Sequence, residues 1–274
     1  MKIGKKLTQL AIASLVLGAG SLASGAVIFS DDFESGNMNN WTQTLATAGT
    51  NFVIDNTQNI VPIGGQFSAK LDSSGDRMHN NILADNGGVD VTGASTYSYY
   101  IYDPVVGGTT ATRLFNEVRG YTGTGLPDGG ITANGTLAQL LAGGKFNTVN
   151  YPGEVFNANK YQGRITFGPN VGGGWFNLDL AGTPNRSVGW HKFTIERLAD
   201  ETLNFYVDDV LGRTFAPGIA TVQGWDTLVM GLGAGTTAGD SWTDGVKVET
   251  APVPEPAVVI GLGALMGLRR RRAK

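Results

Sequence analysis

The sequence predicts an all-β protein built from short antiparallel strands. Three observations carry this. Glycine supplies 41 of 274 residues while charged residues make up only 16%; that glycine share is about twice the usual one and suits strands joined by turns rather than amphipathic helices. Apolar and polar residues alternate with a period of two in several runs, the spacing of a half-buried strand. Clusters of Gly, Asn and Asp separate those runs, where turn chemistry needs them.

In chain order, residues 1–26 have the form of a secretory signal peptide. Lys2, Lys5 and Lys6 make a basic start, residues 10–17 an apolar helical centre, and Ser24-Gly25-Ala26 a small-residue exit before Val27. A body of residues 27–250 follows. Its first strand pattern, Val27-Ile28-Phe29-Ser30-Asp31-Asp32-Phe33, runs into a turn at Glu34-Ser35-Gly36, with Trp41 beyond it. Phe67, Ala69 and Leu71 alternate with Ser68, Lys70 and Asp72. Tyr97, Tyr99 and Ile101 alternate with Ser98, Tyr100 and Tyr102, so both faces of that strand are aromatic. Residues 113–121 and 161–168 read as strands with charge on one face, and residues 175–180 as another. The residues 137–142 read as one short helix ended by Gly143-Gly144. Trp190 to Arg197 is a strand with Phe193 and Ile195 on one face. Ala199-Asp200-Glu201 turns it back into Leu203-Asn204-Phe205-Tyr206-Val207, and Asp208-Asp209 makes a tight turn into Val210.

The last segment, residues 251–274, differs in kind. Pro254-Glu255-Pro256 is extended and short of backbone donors. Residues 257–268 are uncharged, a run of about 18 Å if helical, short of a ~30 Å hydrocarbon core. Arg269, Arg270, Arg271 and Arg272 then stay on the cytoplasmic side, as positive charge does. These three parts in this order resemble the PEP-CTERM sorting signal of exported Gram-negative proteins. The resemblance implies transient residence in the inner membrane, recognition and removal by an exosortase, and a destination at the cell surface or in an extracellular polysaccharide matrix.

The body carries a second resemblance. Asp31-Asp32-Phe33-Glu34-Ser35-Gly36 with Trp41, the Gly189-Trp190-His191 hairpin ending in Phe205-Tyr206-Val207-Asp208-Asp209, and Trp242-Thr243-Asp244-Gly245-Val246-Lys247-Val248 are similar to strands of concanavalin A-like and laminin-G-like domains. That implies a two-sheet antiparallel jelly-roll β-sandwich over nearly the whole body. Its first and last strands would lie side by side, which protects open edges. The resemblance gives no assignment for residues 104–161.

Composition excludes several functions. With no cysteine there is no disulfide framework, thiolate metal site or Cys nucleophile. Between Val27 and Val253 twelve basic residues face twenty-two acidic ones, a net charge near −10, which argues against nucleic acid as a partner. Glycosidases of the resembled fold carry carboxylates spaced as Glu-x-Asp-x-x-Glu on one strand, and no such triplet occurs; Glu117, Glu154, Glu196 and Glu201 stand apart. There is no Gly-x-Ser-x-Gly elbow. Of the two histidines, His191 shares strand parity with Phe193 and Ile195 and reads as structural, while His79 reads as a loop residue.

Two ligand classes remain. A structural calcium would draw on Asp31, Asp32 and Asp244, with Glu34 and Asp240 near, if the end strands pair, since clustered carboxylates repel without a cation. Sugar rings would stack on Trp175, Trp225, Trp242, Tyr100 or Tyr102, with Asn147, Asn150, Asn157 and Asn159 as polar partners or as loop formers; a tryptophan in a β-sandwich is more often core than platform. The expectation is an exported, non-catalytic, carbohydrate-associated module. The alternatives are a polysaccharide-modifying enzyme such as a glycoside hydrolase, with carboxylates from different strands, and a purely structural surface protein.

Overall fold

The alternating runs form two antiparallel sheets packed face to face. The computed structural model describes residues 25–45, 52–59, 64–71, 77–104, 114–120, 136–142, 151–167, 173–217, 224–232 and 241–251. In chain order the elements are β1 (Val27–Asp31), β2 (Thr42–Leu45), β3 (Val53–Asp55), β4 (Ser68–Leu71), β5 (Arg77–Asn80), α1 (Ile82–Asp85), β6 (Ser95–Asp103), β7 (Leu114–Gly120), β8 (Thr136–Ala142), β9 (Gln162–Phe167), β10 (Gly173–Asn177), β11 (Gly189–Arg197), β12 (Leu203–Val207), β13 (Val210–Phe215), β14 (Thr227–Leu232) and β15 (Ser241–Thr250). One sheet runs β13-β12-β11-β6-β15-β4-β3, with β1 also paired to β15. The second runs β10-β9-β8-β7-β14-β5-β2. This is the antiparallel jelly-roll sandwich the sequence predicts.

The first and last strands are neighbours, as expected: Val27 pairs with Glu249 and Asp31 with Val246. β15 is long enough to serve two partners on one edge. Its start pairs with β4 through Ser241, Trp242 and Thr243, and its later half with β1; on its other edge, against β6, a bulge falls between Asp244 and Lys247. The Thr250 amide donates to the Ala26 carbonyl at 2.9 Å, so both ends of the compact unit Gly25–Ala251 meet there.

Strand parity decides what is inside. In β6, Tyr97, Tyr99 and Ile101 are fully buried, while Ser98, Tyr100 and Tyr102 face outward and are half-buried. Phe193, Ile195, Phe205 and Val207 extend the same inner face, and Leu114, Val118, Leu140, Ile165 and Phe176 oppose them from the other sheet. Phe176 meets Phe205 edge-on at 5.1 Å and Phe215 at 4.8 Å. Polar atoms also cross the core. The Tyr99 hydroxyl lies 3.1 Å from the Leu140 carbonyl and 3.2 Å from that of Asn116. Asn116 Nδ2 donates to Thr243 Oγ1 at 3.1 Å. Each buried polar group so paired avoids a desolvation cost of about 1–3 kcal/mol.

Two local expectations are corrected. Residues 137–142 form no helix; they lie in β8, bonded to β7 on one edge and β9 on the other. Leu, Ala and Gln favour a helix by only a few tenths of a kcal/mol each, which two full ladders and the burial of Leu140 override. The helix found among the described residues is instead α1, a single turn whose Asn81 side chain accepts from the Leu83 amide at 3.1 Å. His79, read as a loop residue, stands in β5.

Residues 1–24 and 252–274 lie outside the described residues. So do most of the signal segment, Pro254, Glu255, Pro256, the apolar run and the arginine cluster, together with Asp240, Asn147 and Asn150. Among the described residues no helix is long and apolar enough to cross a membrane.

Candidate functional site

In β7 every residue is buried, yet only one parity belongs to the core. Leu114, Asn116 and Val118 point between the sheets; Phe115, Glu117 and Arg119 take the opposite, outer face of the second sheet. Register extends that face across its neighbours. Trp175, Arg164, Gln139, Glu117, Val229 and His79 stand in one row over β10, β9, β8, β7, β14 and β5. At about 4.8 Å per strand that row is roughly 24 Å long. One pairing step along the strands, Arg77, Gly231 and Phe115 form a parallel row. Gly231 has no side chain, so the Arg77 guanidinium reaches across it to lie 5.6 Å above the Phe115 ring.

Charge on this face is concentrated and dry. Glu117 is 2% exposed and Arg119 7%, and the two form an ion pair through Arg119 Nε and Nη2 to Glu117 Oε2. Arg164 lies 5.1 Å above the Trp175 ring. Burial lowers the Arg164 pKa, Glu117 opposes that shift, and Arg119 and Arg77 add to it, so all four ionised groups lie within electrostatic reach of one another. Three guanidiniums and one carboxylate thus share this face, Arg119 paired with Glu117, Arg77 over Phe115 and Arg164 over Trp175. A buried ion pair contributes little net stability once desolvation is subtracted. Several guanidiniums sharing one face of a sheet with an aromatic ring suit a ligand of opposite sign. Guanidinium forks match carboxylates in two-pronged geometry.

His79 completes the row. Burial lowers its pKa below the ordinary 6.5, so the ring is neutral at pH 7. The sign follows directly. As pH falls from 6.5 toward the lowered value, the unfolded chain takes up a proton that the folded site resists, and stability falls through that window. A proton NMR titration of the His79 ring should place its midpoint below 6.5; a midpoint at or above 6.5 would show that the ring is solvated.

The other sequence-predicted residues are dispersed. Trp225 is 1% exposed in the core. Trp242 is packed edge-on against Tyr102 at 5.4 Å, on the outer face of the first sheet, with Trp190 on the other side of Tyr102 at 5.6 Å. Tyr100 lines a groove of about 440 Å³ on that same face with Asp31, Asp32, Lys192, Lys247 and Glu249. Both oxygens of Asp31 are engaged: Oδ1 accepts from the Phe33 amide at 2.8 Å, and Oδ2 from Trp41 Nε1 at 2.9 Å and Asn40 Nδ2 at 3.1 Å. Asp32 Oδ1 accepts from the Glu34 amide, and Asp244 Oδ1 from the Gly245 amide at 2.6 Å. Among the described residues no group of three or more acidic or histidine side chains could hold a metal ion. Asn157 and Asn159 shape one turn, the Asn157 side chain accepting from the Asn159 amide at 3.0 Å.

Sequence reading singled out Trp175 but passed over Glu117, Arg119, Arg164, Arg77 and His79 as a group. The signal was present as one-sided charge in two strands. What it lacked was the knowledge that β7, β8 and β9 are consecutive neighbours.

No protein-family description matches the chain. No curated protein matches it in sequence either. Solved structures do. The chain is 15% identical to an endo-β-1,4-glucuronan lyase from the fungus Trichoderma reesei, with a TM-score of 0.51 over 82% of this chain and 96% of that one. It is 11% identical to the binding domain of Paraclostridial Mosquitocidal Protein 1, at 0.50, over 83% of this chain and 49% of that one. Against the botulinum neurotoxin serotype D binding domain the values are 12% and 0.45, over 78% and 43%. The chain thus spans about half the length of the toxin domains it matches. What these comparisons establish is the fold, a jelly-roll β-sandwich.

Proposed function

We propose that the body binds an anionic, uronate-bearing polysaccharide along the outer face of the second sheet. The observation that carries this is the placement of Arg77, Arg119, Arg164 and Trp175 with Glu117 on one outer face by strand register. Guanidinium forks match sugar carboxylates, and Arg164, half-buried over the Trp175 ring, is placed to meet one at that end of the row. The arginines suit the kind of polymer that the similar glucuronan lyase is named for. The tail supports the wider reading of an exported protein, sorted by an exosortase and delivered to the cell surface or its polysaccharide matrix.

A second reading has one specific observation behind it. His79, neutral and in the Glu117 row, can take the proton next to a uronate carboxylate while an arginine neutralises that carboxylate. The electron pair left on that carbon forms a double bond to its neighbour as the glycosidic C–O bond there breaks, and the leaving sugar oxygen takes up a proton from water; that is β-elimination, a lyase reaction.

The test is calorimetric titration of the full-length protein with polyglucuronate and, separately, with a neutral β-glucan. Polyglucuronate should bind and the neutral polymer should not. Arg164→Ala should weaken binding about 10- to 100-fold, the loss of one charged hydrogen bond worth roughly 1.5–3 kcal/mol. Equal affinity for both polymers, or no effect of Arg164→Ala, would refute the proposal. Ultraviolet absorbance of an unsaturated product, lost in His79→Ala with binding retained, would select the lyase. Repeating the titration with chelator tests the calcium expectation for Asp31, Asp32 and Asp244.

A further inference from the structure

Remote from the arginine rows in sequence, a serine, a histidine and an aspartate fall into line. Ser187 Oγ is 3.0 Å from His191 Nε2, and His191 Nδ1 is 2.7 Å from Asp208 Oδ2. His191 is 8% exposed on the inward parity of β11, whereas Ser187, just before that strand, is exposed.

The three are held by different elements. Asp208 opens the tight β12–β13 turn, with left-handed φ values of 49° at Asp208 and 62° at Asp209. Its amide donates to the Lys192 carbonyl at 2.8 Å, and its Oδ1 accepts from the Lys192 amide at 2.9 Å. That leaves Oδ2 aimed at the imidazole. The Tyr161 ring packs 5.1 Å from the His191 ring, and its hydroxyl accepts from the Ser187 amide at 3.2 Å. The residue before the serine, Arg186, is anchored by a two-pronged, buried ion pair with Asp103 at 3.0 and 3.1 Å.

A carboxylate thus orients one ring nitrogen while the other faces an exposed hydroxyl, the arrangement that activates an oxygen nucleophile. We propose that Ser187, His191 and Asp208 form a nucleophilic site that cleaves O-acyl esters carried on a larger molecule. Exposure of Ser187 sets the substrate class, because the acyl group must project from its host to reach a hydroxyl at the surface.

The bonds balance as follows. Ser187 Oγ attacks the ester carbonyl carbon while its proton passes to His191 Nε2. The carbon–alkoxide bond then breaks, and the leaving alcohol oxygen takes that proton back. Water repeats the sequence on the acyl-serine, releasing the carboxylic acid and restoring the hydroxyl. Asp208 keeps the Nδ1 proton and stabilises the transient imidazolium.

One contact competes. The Ser187 carbonyl oxygen is also 3.0 Å from Nε2. When the ring is doubly protonated, the Nε2 proton is donated to that carbonyl and the serine is not activated. When Nε2 is bare, the Ser187 hydroxyl donates to it. The groups acting on the ring are Asp208 from the turn, Asp103 from the end of β6, itself paired with Arg186, and the Tyr161 ring from just ahead of β9. Burial opposes the ring's charge, but Asp208 outweighs it, and the Ser187 carbonyl and Asp103 add to the upward shift. The serine should therefore become reactive as pH rises through a midpoint above the ordinary 6.5.

The experiment treats the full-length protein with a fluorophosphonate probe and locates adducts by mass spectrometry, below and above that midpoint. The expected result is an adduct on Ser187 that forms faster at alkaline pH and is absent in Ser187→Ala. His191→Gln should slow it at least about 100-fold. Asp208→Asn, in an exposed turn that keeps its shape, should slow it at least about tenfold and serves if the histidine variant fails to fold. No adduct on Ser187 at alkaline pH would overturn the proposal. So would an unchanged rate in either variant with a native unfolding transition. Neither outcome bears on polyglucuronate binding.

Discussion

Replacing Arg186 with methionine should destabilise the fold by about 3–5 kcal/mol, the cost of stranding a buried charge. The Arg186 and Asp103 side chains are only 2% and 1% exposed. Two parallel hydrogen bonds join them, and the Arg186 amide also donates to the Asn159 carbonyl at 2.8 Å. The pair ties the loop before β11 to the end of β6. Removing the guanidinium leaves the Asp103 carboxylate in a dry site without its charge partner. Urea denaturation checks this. The comparison is Lys192→Ala, which breaks a pair with Asp209 whose side chains are 32% and 74% exposed and should cost under about 1 kcal/mol. Similar losses in both variants would mean that burial does not control the strength of these ion pairs.

Phe193→Ala should cost a comparable amount, about 3–5 kcal/mol, for a different reason. Phe193 is fully buried. Its ring stacks on Tyr99 at 5.7 Å with planes 12° apart, and meets Tyr161 edge-on at 5.2 Å. Alanine removes the apolar burial and leaves a cavity that stiff β-strands cannot close. The denaturation midpoint should fall with an unchanged slope, the signature of lost stability rather than a changed unfolded state. Val27→Ala, at a position 50% exposed, should change it by less than about 0.5 kcal/mol. A small loss at Phe193 would show that the core relaxes around it.

These two sites differ in how far the sequence announced them. The inward parity of Phe193 and His191 was readable from β11 alone, because a strand's alternation is a local property. The hairpin from β11 through the Asp208-Asp209 turn was readable for the same reason. The partnership of Arg186 with Asp103 was not, since nothing in either segment names the other. His191 shows the boundary within one residue: its structural placement was legible, and its alignment with Ser187 and Asp208 was not.

By itself, then, the sequence determined the β class, the turn positions, the inward residues of the clearest strands, and a tail whose charge and hydropathy are explicit. Those are properties of contiguous residues, set by side-chain period and backbone preference. Tertiary structure decided which strands are neighbours. It turned residues 137–142 from an apparent helix into β8, because pairing on both edges outweighs local propensity. It also gathered Arg77, Glu117, Arg119 and Arg164 on one face and aligned Ser187 with His191. Charge clusters and proton relays depend on distances across a sheet or between loops, and those distances arise only when chain segments far apart in sequence pack together.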